Sequence, residues 1–192
     1  MNSRKVLQGR TDLPLNNEGI VQAAETAEML KDMGICFDRV FSSPLIRAVR
    51  TAEILAAGEK VETDDRLIEM DYGPFEGMDL LSPVPEVITF FSDFTKNPAP
   101  DGMESLDSVV TRGGGFIESL KSISGNILVS THAIAMKGIL EYLTPESHGS
   151  YWSKHIGNCA VFMTEYDGLH FSVPREIFNP ANDIPRPKKK ES

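Results

Sequence analysis

Apolar residues recur at helical spacing in five stretches of the chain. The first follows Asn16 and runs to about Met33, where Gly34 comes next. Asparagine is favoured before a helix and glycine after one, so both ends are marked. The second follows Ser43, with Pro44 at its first helical position. The same spacing predicts the full set of helices over residues 17–33, 44–58, 87–94, 105–123 and 133–143.

Short runs of β-branched and aromatic residues alternate with these helices. The predicted strands are residues 39–42, 61–63 and 126–130. Near the end, residues 159–166 and 169–173 flank Asp167-Gly168, a dipeptide typical of tight hairpins. Because strand and helix alternate until that hairpin, the pattern predicts a three-layer α/β/α fold with a mainly parallel central sheet and an antiparallel edge.

The length of 192 residues fits one domain with a substantial core. The segment 78–102 ends in a run of asparagine, prolines, aspartate and glycine, which predicts a surface insertion. Three consecutive glycines at 113–115 are expected to loosen their helix. We therefore predict a single domain over residues 1–181 and a flexible basic tail over 182–192.

Charge and cysteine content narrow the classes of partner. The chain carries 19 Lys and Arg against 28 Asp and Glu, a net charge of -9, which disfavours binding to nucleic acid or to an anionic membrane. An anionic substrate would need a local cationic pocket. Only Cys36 and Cys159 are present, too few for a disulfide framework or a zinc site, so we expect a cytoplasmic protein without a metal or other cofactor. The oligomeric state stays open, a homodimer included.

Arg47 is the first candidate for binding an anion. It falls in the first turn of the helix that follows strand 39–42, close to the positive end of the helix dipole. In parallel α/β sheets, ligands lie beyond the carboxyl ends of the strands, where helix N-termini attract anions. From this segment alone, the alternative that Arg47 and Arg50 form a solvated helix face remains open.

His132 and Glu69 are the candidates for proton chemistry at the same sheet edge. His132 ends a buried strand where the next helix begins, and its imidazole could hold a phosphoryl oxygen or carry a proton. Glu69 lies among Ile68, Met70 and Tyr72, a setting that raises a carboxyl pKa and suits a general acid. The alternatives, a structural histidine and a solvated turn glutamate, remain open for each residue taken alone.

Several motifs in order resemble the histidine phosphatase superfamily, in the branch shared by phosphoglycerate mutases and small phosphatases. They are residues 7–15 with Glu18-Gly19, Ser-Pro-Leu-x-Arg-Ala at 43–48, Arg-Leu-x-Glu at 66–69 with Glu76-Gly77, residues 100–105, and Asn158-Cys159. The resemblance spans nearly all the chain and implies a phosphoglycerate mutase-like fold. It also implies chemistry on a small phosphorylated substrate through a phosphohistidine.

The resemblance assigns roles to individual residues. Arg47, His132 and Asn2 would bind the phosphoryl group, and Glu69 would act as acid and then as base. The loop of Gln8, Gly9 and Arg10 would contact the substrate.

Two positions depart from the family pattern. The family's Arg-His-Gly, which carries the nucleophilic histidine, would fall a few residues before Asn2 and is not in the sequence. We expect either that Met1 is an internal methionine or that the chain is a truncated product. Thr131-His132-Ala133 also replaces the usual Ser-His-Gly.

Three functions follow from this pattern. We predict a metal-independent phosphomonoesterase when upstream residues supply the nucleophile, and a nearly inactive chain without them, because general acid catalysis alone contributes about 10²–10⁴. The compact middle segment favours a phosphatase over a phosphoglycerate mutase. The remaining alternative is a non-catalytic module that binds a phosphorylated ligand.

Overall fold

The computed structural model describes residues 5–180, so Asn2 and the predicted tail at 182–192 lie outside the described residues. The helices are α1 (Asn17–Asp32), α2 (Ile46–Leu55), α3 (Pro85–Ser92), α4 (Leu106–Leu120), α5 (Ala133–Leu143) and α6 (Ser150–Ser153). The strands are β1 (Arg39–Ser42), β2 (Val61–Thr63), β3 (Ile127–Ser130), β4 (Val161–Met163) and β5 (Arg175–Phe178).

Three strands form a parallel sheet with helices on both faces. The order is β2-β1-β3, and Val40 of β1 pairs with Val61 and Leu128. Val40 packs toward α2 with Ala52, whereas its neighbour Phe41 points to the other face and meets the Phe116 ring of α4 at 5.6 Å. Alternate residues of one strand thus face opposite helical layers. The three-layer α/β/α prediction is confirmed.

The antiparallel pair is confirmed. Within residues 5–180 it forms a separate two-stranded sheet, and its second strand lies further along the chain than predicted. β4 pairs with β5, with Met163 opposite Arg175, whereas residues 169–173 contribute only the bridge between Tyr166 and Phe171. The Asp167 carboxylate accepts the backbone N–H groups of the two residues after Gly168. Two backbone hydrogen bonds also close the turn, from Asp167 to the His170 carbonyl and from Ser172 to the Glu165 carbonyl, and regular strand pairing resumes at 175.

Helix α2 begins two residues later than predicted. β1 ends at Ser42, and Leu45 has an extended backbone rather than a helical one. The N–H of Ile46, the first helical residue, donates to the Asp12 carboxylate at 2.8 Å. The helix is therefore capped from a distant loop and not by Ser43, because Asp12 supplies the acceptor that the first turn needs.

The segment 78–102 is more than the predicted surface insertion. Its helix α3 buries Val87 and Phe90 almost completely in a cluster that includes Trp152 and Ile134. Turns and prolines surround this helix, which explains why composition indicated a surface position. The two buried side chains make the segment part of the core.

Both sheets have open edges within residues 5–180. In that part of the chain β3 pairs with a strand on one side only, and β4 pairs only with β5. The apolar residues Ile127, Leu128 and Val129 of β3 are only half-buried. An apolar strand with unpaired backbone groups on one side is ready to pair with another strand.

The glycines of α4 bring this helix close to α5 and do not merely loosen it. A Cβ on Gly113 would lie 2.8 Å from Ile139 Cγ1, and one on Gly138 would lie 2.7 Å from Val109 Cγ1. Both distances are shorter than normal carbon contacts. The small residues therefore set the spacing of the two helices that carry the rear layer of the fold.

We expect Gly113→Ala and Gly115→Ala to change stability in opposite directions. Gly115 is exposed, with no atom within 4 Å of an added Cβ, so alanine should stabilise the helix by about 0.5–1 kcal/mol. Gly113 is buried against Ile139, so alanine should destabilise the fold by about 1–3 kcal/mol through overpacking. Urea unfolding of both variants measures the difference, and equal changes would refute the packing role.

Candidate active site

Arg47 lies in the first turn of α2 beneath the loop at residues 9–11. Its guanidinium donates to the carbonyl of Gly9 at 2.6 Å and to the carbonyl of Thr11 at 2.9 Å. Both acceptors are neutral, so the positive charge is not neutralised by a contacting carboxylate there. The guanidinium is partly buried, and desolvation is the main cause that lowers its pKa. This site retains a cation that can attract an anionic group.

The loop that carries these carbonyls is fixed from the other side by Glu76. The Glu76 carboxylate accepts the N–H of Gly9 at 2.9 and 3.0 Å and the N–H of Thr11 at 3.0 Å. Gly9 is buried, and a Cβ there would lie 2.5 Å from the Met70 carbonyl oxygen. Glycine is therefore required at this close approach of two backbone segments.

The residues predicted to contact substrate occupy different positions around this loop. Gly9 is buried and Gln8 is half-buried. Arg10 donates to the Glu69 carbonyl at 3.1 Å and to the carboxylates of Asp71 and Glu104, each at 3.1 Å. The guanidinium of Arg10 is thus engaged with the protein itself, which gives it an anchoring position beside Glu69.

The Glu69 carboxylate sits at the N-terminus of α5. One oxygen accepts the N–H of Met70 at 2.9 Å and that of Ala135 at 3.0 Å, and the other accepts the N–H of Ile134 at 3.3 Å. The side chain is only 5% exposed. Glu69 therefore occupies the helix N-terminus where the sequence indicated an anionic ligand.

Burial decides the protonation of Glu69. Desolvation raises its pKa above the ordinary value, while the three backbone N–H groups and Arg47 act in the opposite direction. Burial prevails because a carboxylate without water loses more free energy than these hydrogen bonds return. A raised pKa agrees with the sequence prediction and favours the protonated carboxyl that a general acid needs.

His132 precedes the first residue of α5 and faces β1. Its Nε2 lies 2.7 Å from the Ser43 hydroxyl, in a hydrogen bond whose direction depends on the imidazole tautomer. Desolvation, followed by the charges of Arg47 and Arg112, lowers the pKa of His132 to about 3. The imidazole is therefore neutral at pH 7, because burial and two nearby cations both disfavour its charged form.

The three predicted residues meet at one place. The charge of Arg47 acts on the pKa of Glu69 and on that of His132, and the latter two flank the start of α5.

The remaining histidines lie on other elements. They are His148 after residues 145–147, His155 after α6, and His170 in the hairpin. Within residues 5–180, His132 is thus the histidine of this site.

Three residues that hold the site together were not assigned to it from the sequence: Ser43, Glu76 and Glu104. Ser43 was interpreted as a helix cap and instead contacts His132. Glu76 and Glu104 belong to motifs that carried the family resemblance, but the motif alone does not reveal which backbone groups they bind. In the sequence, each of these two glutamates appears only as an acidic residue in a loop that contains glycine. Ordinary turns have the same composition.

Two further properties concern the described range as a whole. Residues 5–180 contain no group of three or more His, Cys, Asp or Glu side chains placed to hold a metal ion. No helix in this range combines the length and the apolar character needed to cross a membrane.

Comparison with known proteins identifies the family. The phosphatase PhoE of Bacillus subtilis, itself uncharacterised, is 37% identical over 144 residues, covering 72% of this chain and 69% of that protein. Phosphoserine phosphatase 1 of Hydrogenobacter thermophilus is 28% identical over 182 residues, covering 91% and 83%.

A solved structure shares the fold. The phosphoserine phosphatase of Entamoeba histolytica, crystallised with 3-phosphoglyceric acid, aligns with a TM-score of 0.74 and 24% identity over 91% of this chain and 88% of that one. A family profile, the histidine phosphatase superfamily (branch 1), matches residues 1–176. With this match across nearly the whole chain, the protein belongs to the histidine phosphatase superfamily.

Proposed function

We propose that the chain forms the phosphate pocket and supplies the general acid of a phosphomonoesterase that works through a phosphohistidine. The observation that supports it is the convergence of Arg47, Glu69 and His132 at the start of α5. A guanidinium and an imidazole are groups that hold phosphoryl oxygens, and a buried carboxyl suits proton transfer. The nucleophile in this proposal is the histidine of an Arg-His-Gly segment before Asn2.

The proposed reaction has two steps at phosphorus. The histidine nitrogen forms a bond to phosphorus while the bond to the ester oxygen breaks, and Glu69 gives its proton to the leaving oxygen. In the second step the Glu69 carboxylate takes a proton from water, which attacks phosphorus as the bond to nitrogen breaks. Phosphate and free histidine are released, and Glu69 regains its proton.

In this proposal the phosphoryl group lies close to the Glu69 carboxyl at the start of α5. The N–H groups of Ile134 and Ala135 already bind the Glu69 carboxylate. A phosphoryl group with two negative charges would be repelled by an ionised carboxylate beside it. Substrate binding therefore favours the protonated form of Glu69. Binding of the anion thus places the proton where the leaving oxygen needs it.

The half-buried edge of β3 supports a strand partner in this proposal. A strand ending in Arg-His-Gly and paired with β3 would end beside His132, because the carboxyl ends of parallel strands lie at one sheet edge.

Phosphoserine is the first substrate to test, since a relative covering most of the chain is a phosphoserine phosphatase. One domain over 1–181, a cytoplasmic location and a homodimer remain predictions.

The nucleophile is tested by turnover of p-nitrophenyl phosphate. We expect this chain to be nearly inactive, and the same chain extended by the residues encoded immediately upstream of Met1 to release p-nitrophenol. After rapid acid-free quenching, the extended chain should carry phosphate on histidine, which acid removes. Phosphoserine and 3-phosphoglycerate then report on substrate class.

Two results would contradict the proposal. Activity of the unextended chain equal to that of the extended one would show that no upstream histidine is needed. Absence of activity in both, with phosphate binding retained, would favour the non-catalytic binding module. Glu53→Gln is the matched control for the glutamate substitutions below. It removes the carboxylate of an exposed ion pair with Arg50, which is not one of the proposed site residues.

Replacing Glu69 by glutamine should separate catalysis from folding. The amide oxygen can still accept the N–H groups of Met70 and Ala135, so the variant should fold, but it cannot donate or take a proton. We expect kcat to fall by about 10²–10⁴ in the active chain. A smaller effect with p-nitrophenyl phosphate than with phosphoserine is expected, because the phenolate is the better leaving group.

The same variant should change how stability depends on pH. Because the folded pKa of Glu69 is raised above 4.5, its contribution to stability is fully present below pH 4.5 and is lost as pH rises through the folded pKa. The wild type should therefore lose stability relative to Glu69→Gln between pH 5 and pH 8. Urea unfolding at both pH values measures this, and parallel curves would show that the carboxyl is not perturbed.

His132 should titrate only in the presence of an anion. With a pKa of about 3, its ring signals should stay constant between pH 5 and pH 8 in the free protein. Inorganic phosphate should raise the pKa and bring a titration into that range, because it offsets the charge of Arg47. NMR of the imidazole protons in the presence and absence of phosphate measures this. A titration of His132 near 6.5 without phosphate would contradict the burial argument.

A further inference from the structure

The backbone around Glu69 lacks regular secondary structure. Residues 68–72 lie between a 3-10 turn at Asp65–Leu67 and another at Gly73–Phe75, and they belong to no helix or strand. A ladder of backbone hydrogen bonds therefore does not fix this segment. Something else must hold it, because a general acid misplaced by 1 Å loses much of its effect.

Arg112 of α4 binds this segment on one side of Glu69. One guanidinium nitrogen donates to the Arg66 carbonyl at 2.8 Å and to the Ile68 carbonyl at 2.5 Å. The side chain is only 15% exposed. Its remaining donors point to Glu104, at 2.8 and 3.2 Å.

Arg10 binds the segment on the other side. It donates to the Glu69 carbonyl itself and to the Asp71 carboxylate. Its third contact is again Glu104, at 3.1 Å. The two guanidinium groups thus hold the peptide groups before and after the Glu69 side chain, and both depend on one carboxylate.

Glu104 lies at the centre of this arrangement. Its carboxylate, 9% exposed, accepts from Arg10, from Arg112, from the Ser108 hydroxyl and from the N–H of Asp71. Its own N–H donates to the Asp71 carbonyl at 2.8 Å. Removing the negative charge would leave two guanidinium groups close together without the acceptor they share.

We propose that Glu104 is a positioning residue for Glu69, which it holds in place through Arg10 and Arg112. This inference rests on the proposed function, because it concerns the acid of that reaction. Among residues 5–180, the hydrogen bonds of the Glu104 carboxylate go to Arg10, Asp71, Ser108 and Arg112 and to none of Arg47, Glu69 and His132. It therefore acts by fixing the backbone on both sides of Glu69. Arg112 also extends the arrangement to the other side of the pocket, since its charge acts on His132.

Glu104→Gln tests the proposal in the chain that turns over p-nitrophenyl phosphate. We expect kcat to fall about 10- to 100-fold while KM changes less than about threefold, because the acid is displaced but the phosphate contacts of Arg47 remain. In the Glu69→Gln background, the same substitution should change kcat less than about twofold, since no acid is left to position. Arg112→Lys, which keeps the charge but loses the forked geometry, should lower kcat in the same direction.

Amide hydrogen exchange supplies a readout independent of activity. Exchange across residues 66–72 should be at least about tenfold faster in Glu104→Gln than in wild type. The control Glu53→Gln removes an equally charged but exposed ion pair and should leave both kcat and this exchange unchanged.

Three outcomes would overturn the inference. They are an unchanged kcat with lower stability only, the same loss of kcat with and without Glu69, or unchanged exchange across 66–72. If no form of the chain turns over the substrate, the proposed function fails, and the exchange experiment alone decides the positioning role of Glu104. Faster exchange would support that role, and unchanged exchange would overturn it. If Glu104→Gln does not fold, Arg112→Lys decides by the same measurements.

Discussion

The buried carboxyl of Glu69 at the start of α5 is the interaction on which the site depends. It joins an irregular loop to the helix that follows β3, through hydrogen bonds from Ile134 and Ala135. Burial favours the protonated form, while the helix N–H groups favour the ionised one. A group held between these tendencies can exchange a proton at small cost, which is the property that acid and base catalysis requires.

Around that carboxyl, other carboxylates hold three guanidinium groups in place, directly or through a loop. Glu76 fixes the loop whose carbonyls bind Arg47. Glu104 fixes Arg10 and Arg112. The protein carries a net charge of -9 but has a local positive charge at this site. The Arg47 guanidinium donates to backbone carbonyls and not to a carboxylate, so its charge is not neutralised by a contact. The proposed phosphoryl group would bind to such a preorganised pocket without rearranging it.

The packing behind the site serves the same purpose. Helix α5 supplies the N–H groups that bind Glu69, and its distance from α4 is set by Gly113 and Gly138. Because Arg112 also belongs to α4, the spacing of these helices connects the rear layer to the loop of Glu69. Membership in the histidine phosphatase superfamily is consistent with this division between a packed rear layer and a charged front edge.

The sequence by itself determined the α/β layering, the boundaries of α1 and α5, and the choice of Arg47, Glu69 and His132, because periodicity and strand-end chemistry are local properties. It failed where partners are distant in the chain. The cap that Asp12 gives to α2, the core position of Phe90, the late second strand of the hairpin and the contact of Ser43 with His132 all needed the tertiary structure. The same holds for Glu76 and Glu104. Their motifs predict turns, but their carboxylates bind Gly9 and Arg112, which only folding brings within hydrogen-bond distance.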